Sequence, residues 1–76
     1  MSRLPLVTAK ELEKLLFQLG FVAERQKGSH VFYRHEDSRY TTIPHHKGRQ
    51  LGRSLIRRII NQIDLTVEEY KELLGK

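Results

Sequence analysis

Between Gly20 and Pro44 the sequence divides into three short β-branched and aromatic runs, FVAERQ, HVFYRH and YTTI. Lys27-Gly28-Ser29 separates the first two, and Glu36-Asp37-Ser38-Arg39 lies between the second and third. Connections this short join antiparallel neighbours, since a parallel pair needs a crossover of about a dozen residues or more. The runs therefore predict a three-stranded meander. Pro44 closes the third strand, because it has no N–H to give to a ladder. Three strands cannot curl into a barrel, so a second layer has to cover one face of the sheet.

The flanks supply that layer. Thr8, with Glu11 three residues later, forms a capping box, and Val7 and Leu12 stand where a hydrophobic staple closes. Leu12, Leu15, Leu16 and Leu19 repeat along one helical stripe. Gly20 ends that helix, since glycine takes the left-handed conformation without steric cost. Beyond the polar connection PHHKGRQLG, residues 44–52, Leu55, Ile56, Ile59, Ile60 and Ile63 share one face of a second helix. Arg57, Arg58, Asn61 and Gln62 take its other face. Thr66 and Glu69 repeat the capping box, with Leu65 and Tyr70 in the staple positions, and head a short third helix that carries Val67, Leu73 and Leu74.

The order α-β-β-β-α-α predicts an α+β two-layer sandwich, with the helices on one face of an open three-stranded antiparallel sheet. That order is similar to the double-stranded-RNA-binding fold, though a fold does not by itself assign a function. Seventy-six residues leave room for one core, so residues 1–76 are read as a single domain. The absence of cysteine suits a reducing cytoplasm and offers no disulfide framework. The N-terminal stretch MSRLPLVTAKELEKLL has neither the apolar core nor the cleavage site of a signal peptide. No apolar stretch approaches the roughly 18 residues of a membrane span. A cytoplasmic, membrane-free protein is expected.

The charge is unevenly spread. Lys47, Arg49, Arg53, Arg57 and Arg58 fall in a window that contains no acid, and the remaining basic and acidic residues cancel, so this segment carries the whole net charge of +5. A concentrated excess reads as a docking surface for a polyanion, with a merely solvated helix face as the plain alternative.

Two segments carry candidate chemistry. His30 opens the second strand directly behind Gly28-Ser29, where glycine lets another chain approach closely. Alternation puts His30, Phe32 and Arg34 on one face of the sheet and Val31, Tyr33 and His35 on the other. Both sets are mixed, so either face can meet the helices. The segment Pro44-His45-His46-Lys47-Gly48 offers hydrogen-bond donors to phosphate oxygens. A zinc site there requires His45 or His46, His30 or His35, and a further ligand to converge without any cysteine; no metal or other cofactor is expected.

In combination these elements resemble the HicA (YcfA-like) toxin family: Gly28-Ser29-His30 heading the second strand, Thr42-Ile43-Pro44 with His46-Lys47-Gly48 after the third, and Gly52 through Ile56 opening a helix. The resemblance runs from about Thr8 to Leu74. It implies the toxin of a type II toxin–antitoxin pair, a metal-independent endoribonuclease that cleaves mRNA and arrests translation. It also implies silencing by a HicB-type antitoxin in a hetero-oligomer, with the free toxin a monomer. The family's catalytic histidine corresponds to His30. The expected RNA contacts are Gly28, Ser29, His46, Lys47, Arg53, Arg57 and Arg58. Departures are few: Gly52-Arg53-Ser54 replaces the usual Gly-Thr, Asp64 stands where many members have glycine, and His45 is an unshared neighbour of His46. The alternative function is a non-catalytic RNA-binding module of the same fold.

Overall fold

The computed structural model describes residues 4–75. The elements run α1 (Ala9–Gln18), β1 (Val22–Lys27), β2 (His30–Arg34), β3 (Tyr40–Pro44), α2 (Arg53–Gln62) and α3 (Val67–Leu74). The order and the α+β class are those the periodicity predicts.

Local chemistry sets the helix ends. Thr8 and Glu11 exchange side-chain-to-backbone hydrogen bonds, as do Thr66 and Glu69, so α1 and α3 both begin with a complete capping box. α1 ends at Leu19 with Gly20 at φ +95°. The Phe21 N–H bonds to the Leu16 carbonyl and the Gly20 N–H to that of Phe17, the paired bonds of a Schellman cap. Phe21 is therefore part of the helix stop, buried against the core, and β1 starts one residue later than the sequence pattern predicts. α2 ends the same way, with Leu65 N–H on the Ile60 carbonyl and Asp64 N–H on that of Asn61.

The sheet is antiparallel with order β1-β2-β3. β2 pairs cleanly with β3, from His30 opposite Pro44 to Arg34 opposite Tyr40. Pro44 is thus the last residue of the strand and not a residue beyond it. The next ladder bond runs from His45 N–H to the Ser29 carbonyl, which turns the Pro44 nitrogen toward the free edge, where a missing donor costs nothing. Between β1 and β2 the register shifts at Ala23/Arg25, a bulge that sets Glu24 and Arg25 together against Phe32.

Val31, Tyr33, Thr41 and Ile43 face the helices and are buried with Leu12, Leu15, Leu16, Ile56, Ile59, Ile60, Ile63 and Tyr70. Each buried large apolar side chain contributes about 1.5–3 kcal/mol relative to leaving it exposed. The buried Thr41 hydroxyl donates to Gln62 Oε1 at 2.6 Å, which ties β3 to the end of α2. All six residues of β1 are exposed, so this strand extends the sheet past its helical cover.

Candidate nucleic-acid interface and catalytic histidine

A two-residue turn places His30. Lys27 and His30 close the β1–β2 ladder, and Gly28 and Ser29 span the gap with Gly28 at φ +59°. A positive φ at the first central position is the mark of a II′ hairpin turn, and glycine adopts it without strain. Gln26 Nε2 braces the turn by donating to the Gly28 carbonyl at 3.0 Å. Ser29 contributes its carbonyl, which accepts the His45 N–H at 2.7 Å. His30 is consequently at the very end of the sheet and exposed to solvent.

The burial of Val31 and Tyr33 assigns the faces. Their alternates point away from the helices, so the uncovered face presents three rows: Lys27–His30–Pro44, then Arg25–Phe32–Thr42, then Val22–Arg34–Tyr40. The Arg25 guanidinium lies over the Phe32 ring at 4.6 Å from its centroid. Arg34 Nε bonds to Glu24 Oε2 at 2.7 Å, and both side chains are about half exposed. Arg25 and Lys27 take part in no ion pair among the described residues.

The other expected site residues fall in two places. His46, Lys47 and Gly48 follow β3 beside the His30 turn, since Pro44 stands opposite His30 and His46 is two residues further on. With Thr8, Ala9, Lys10 and His45 they line a cavity of about 360 Å³ at the start of α1. Arg57 and Arg58 lie on the side of α2 that faces away from the core, because Ile56, Ile59 and Ile60 occupy the inward side. Arg53 reaches back to the N-terminal segment, its Nε donating to the Leu4 carbonyl at 3.4 Å. The arginines of α2 therefore belong to the outer surface of the helix layer and His30 to the opposite surface of the sheet. The expected RNA contacts thus divide between the two layers.

Behind the turn sits a network that no sequence pattern reveals. The Tyr33 hydroxyl donates to Glu13 Oε2 at 2.5 Å, and its oxygen lies 2.8 Å from His45 Nε2. A phenol has one proton, so with Glu13 as its acceptor it accepts in turn from the imidazole, which makes Nε2 the protonated nitrogen of His45. Burial, followed by the hydrogen bond to Glu13 and its charge, drives the Tyr33 phenol far above its ordinary value and keeps it protonated. The link joins α1, β2 and the β3–α2 connection at one point. His35 has a second fixed role: it packs edge-on to Phe21, and its Nε2 donates to the Leu19 carbonyl at 3.1 Å while Nδ1 accepts from Asp37 N–H. Among the described residues no three His, Asp or Glu side chains gather as metal ligands would.

The family model described as the HicA toxin of bacterial toxin–antitoxin systems matches residues 9–65. The chain belongs to the HicA toxin family. A comparison with curated proteins gave no match. The matched span takes in the Gly28–His30 turn, His46 and Lys47, all three α2 arginines, and the Glu13–Tyr33–His45 network, while α3 lies beyond it. No helix of the described toxin is long and apolar enough to cross a membrane.

Proposed function

We propose that this toxin is an endoribonuclease that cleaves mRNA in the cytoplasm and so arrests translation, with His30 as its catalytic proton-transfer group. The observation that supports this reading best is the exposed imidazole at the turn end of the uncovered sheet face, flanked by Lys27, in a chain of a toxin family. Without a metal, the 2′-hydroxyl attacks the adjacent phosphorus as its proton passes to a base. The bond to the 5′-oxygen then breaks, that oxygen takes a proton, and a cyclic phosphate and a 5′-hydroxyl remain. An imidazole, with one nitrogen that can accept a proton and one that can donate, suits either transfer, a contribution of about 10² to 10⁴ in rate. Lys47 and His46 hold the phosphate, and the Gly28-Ser29 turn lets the strand come close to the ring. Arg53, Arg57 and Arg58 add long-range attraction for the polyanion.

The partner is a HicB-type antitoxin, which joins the otherwise monomeric toxin in a hetero-oligomer and covers the His30 opening with an acidic or neutral surface. The deciding experiment is His30→Ala. Growth arrest on induction and cleavage of RNA by the purified toxin should both vanish, with RNA affinity held within a few-fold and stability unchanged within about 0.5 kcal/mol, as at other exposed positions. Cleavage that persists in His30→Ala refutes the assignment of the histidine. Binding without cleavage in the parent toxin establishes the non-catalytic RNA-binding module instead.

A further inference from the structure

The guanidinium carbon of Arg25 lies over the Phe32 ring, 4.6 Å from its centroid, one row along the uncovered face from His30. Phe32 is not part of the hydrophobic core, nor is it among the partly buried side chains packed against it. Core packing therefore does not account for an aromatic ring at this position. Arg25 has no acidic partner among the described residues, in contrast to Arg34, which Glu24 neutralises in the next row. The bulge produces both arrangements, since Glu24 and Arg25 share the space opposite a single residue. A guanidinium over a ring, on a strand whose residues are all exposed, is a ready platform for a nucleobase.

We infer that Arg25 and Phe32 form a base-stacking site for single-stranded RNA, which runs across the uncovered sheet face with its backbone at Lys27 and His30. Same-face residues two apart in a strand are separated by roughly 6.8 Å, which matches the step between successive nucleotides of an extended chain. A phosphate at His30 thus leaves the neighbouring base above the Arg25–Phe32 pair. Exposed Tyr40, in the third row, offers a further ring along the same line. Charge favours the same ligand: Lys27, Arg25 and Arg34 outnumber the one acid, Glu24, on this face. A duplex has its bases stacked internally and cannot use the platform, so the surface selects single strands.

The inference rests on the ribonuclease reading only for the identity of the ligand, and its test is independent of cleavage. The full-length toxin is titrated with a fluorescent 2′-O-methyl oligoribonucleotide, which has no 2′-hydroxyl to react, and with its duplex, over a range of salt. The single strand should bind more tightly than the duplex. Phe32→Leu should weaken single-strand binding about tenfold and leave the salt dependence unchanged, because no charge is removed. Arg25→Lys keeps the charge and loses the plane, so it should weaken binding several-fold at an unchanged salt slope. Arg25→Gln should also lower that slope by about 0.7. Parental affinity in both Phe32→Leu and Arg25→Lys overturns the inference, as does equal affinity for the duplex or loss of binding only when Arg53, Arg57 and Arg58 are replaced together. Persistent cleavage by His30→Ala refutes the catalytic assignment and leaves this one standing.

Discussion

Replacing Tyr33 by phenylalanine removes one oxygen from the most connected polar point in the molecule. Its ring is fully buried, and Phe17 packs edge-on to it at 6.1 Å, so phenylalanine keeps the packing and loses only the hydroxyl. Two hydrogen bonds disappear, one to the Glu13 carboxylate and one from His45. A bond to a charged group contributes about 1.5–3 kcal/mol and a neutral one about 0.5–1.5. Glu13 and His45 retain side-chain exposures of 21% and 22%, so water replaces part of what each loses. The net cost is then about 2 kcal/mol, a large share of the roughly 4–11 kcal/mol expected for a domain of this size. Urea unfolding followed by circular dichroism should show a lower midpoint with an unchanged slope, and melting about 8–16 °C earlier. Glu13→Gln in the same background should cost less than it does in the parent, giving a coupling of about 1 kcal/mol. A loss below about 0.5 kcal/mol, or full additivity with Glu13→Gln, means that the network does not brace the fold as argued.

Three further outcomes are expected. Burial raises the phenols of both Tyr33 and Tyr70, with the nearby charges of Glu13 and Glu11 adding to it, and Tyr70 is pushed up to about 12. Tyrosines of the unfolded chain ionise near pH 10 while these two keep their protons, so stability is full below about pH 10 and falls as pH rises above it; a urea midpoint that stays level or rises from pH 9 to 11 contradicts this. Asp64 sits at φ +59° next to the negative end of α2, so Asp64→Gly relieves both backbone strain and a charge clash and should raise stability by about 1 kcal/mol, read as a melting increase of about 4–8 °C. Gly28→Ala meets no atom within 4 Å but is forced to φ +59°, so about 1–2 kcal/mol of strain is expected in urea unfolding without any clash; a stability equal to the parent's refutes the II′ turn.

The sequence signals that succeeded are local ones. Thr8 with Glu11 and Thr66 with Glu69 are three residues apart, and both capping boxes form as their spacing predicts. The leucine and isoleucine stripes of α1 and α2 are likewise local and face the core, with Leu19 and Leu55 only partly buried at their margins. What stayed undecided was which face of β2 meets the helices, because Tyr33 and His35 look as polar as His30 and Arg34. The answer depends on partners distant in the chain: Glu13 for the Tyr33 hydroxyl and the Leu19 carbonyl for His35. Once both polar tips are satisfied, the rest of each ring is apolar surface that can be covered. The bulge at Glu24 was equally silent, since nothing in FVAERQ marks an extra residue, and with it went the pairing of Arg25 with Phe32. The cluster of arginines on α2 was conspicuous for its charge, yet charge density along a chain does not say on which layer it will lie.

β1 makes the argument for function most directly. Its six side chains are all exposed, so it adds almost nothing to the core of a chain that has little core to spare. What it adds is width on the uncovered face: Lys27 beside His30, and Arg25 over Phe32. β2 and β3 divide their residues in the same way, with Val31, Tyr33, Thr41 and Ile43 holding the fold and their alternates left free. The two-residue period of the strands therefore separates the residues that hold the fold from those proposed to meet RNA, along a single stretch of sequence. Substitutions at Val31 or Ile43 should lower the melting temperature, and any loss of RNA binding should follow from unfolding alone. Substitutions at Lys27, His30 or Phe32 should impair RNA handling at an unchanged melting temperature. If the two sets of positions behaved alike, the uncovered face would be a second structural surface, and the placement of the histidine there would lose its meaning.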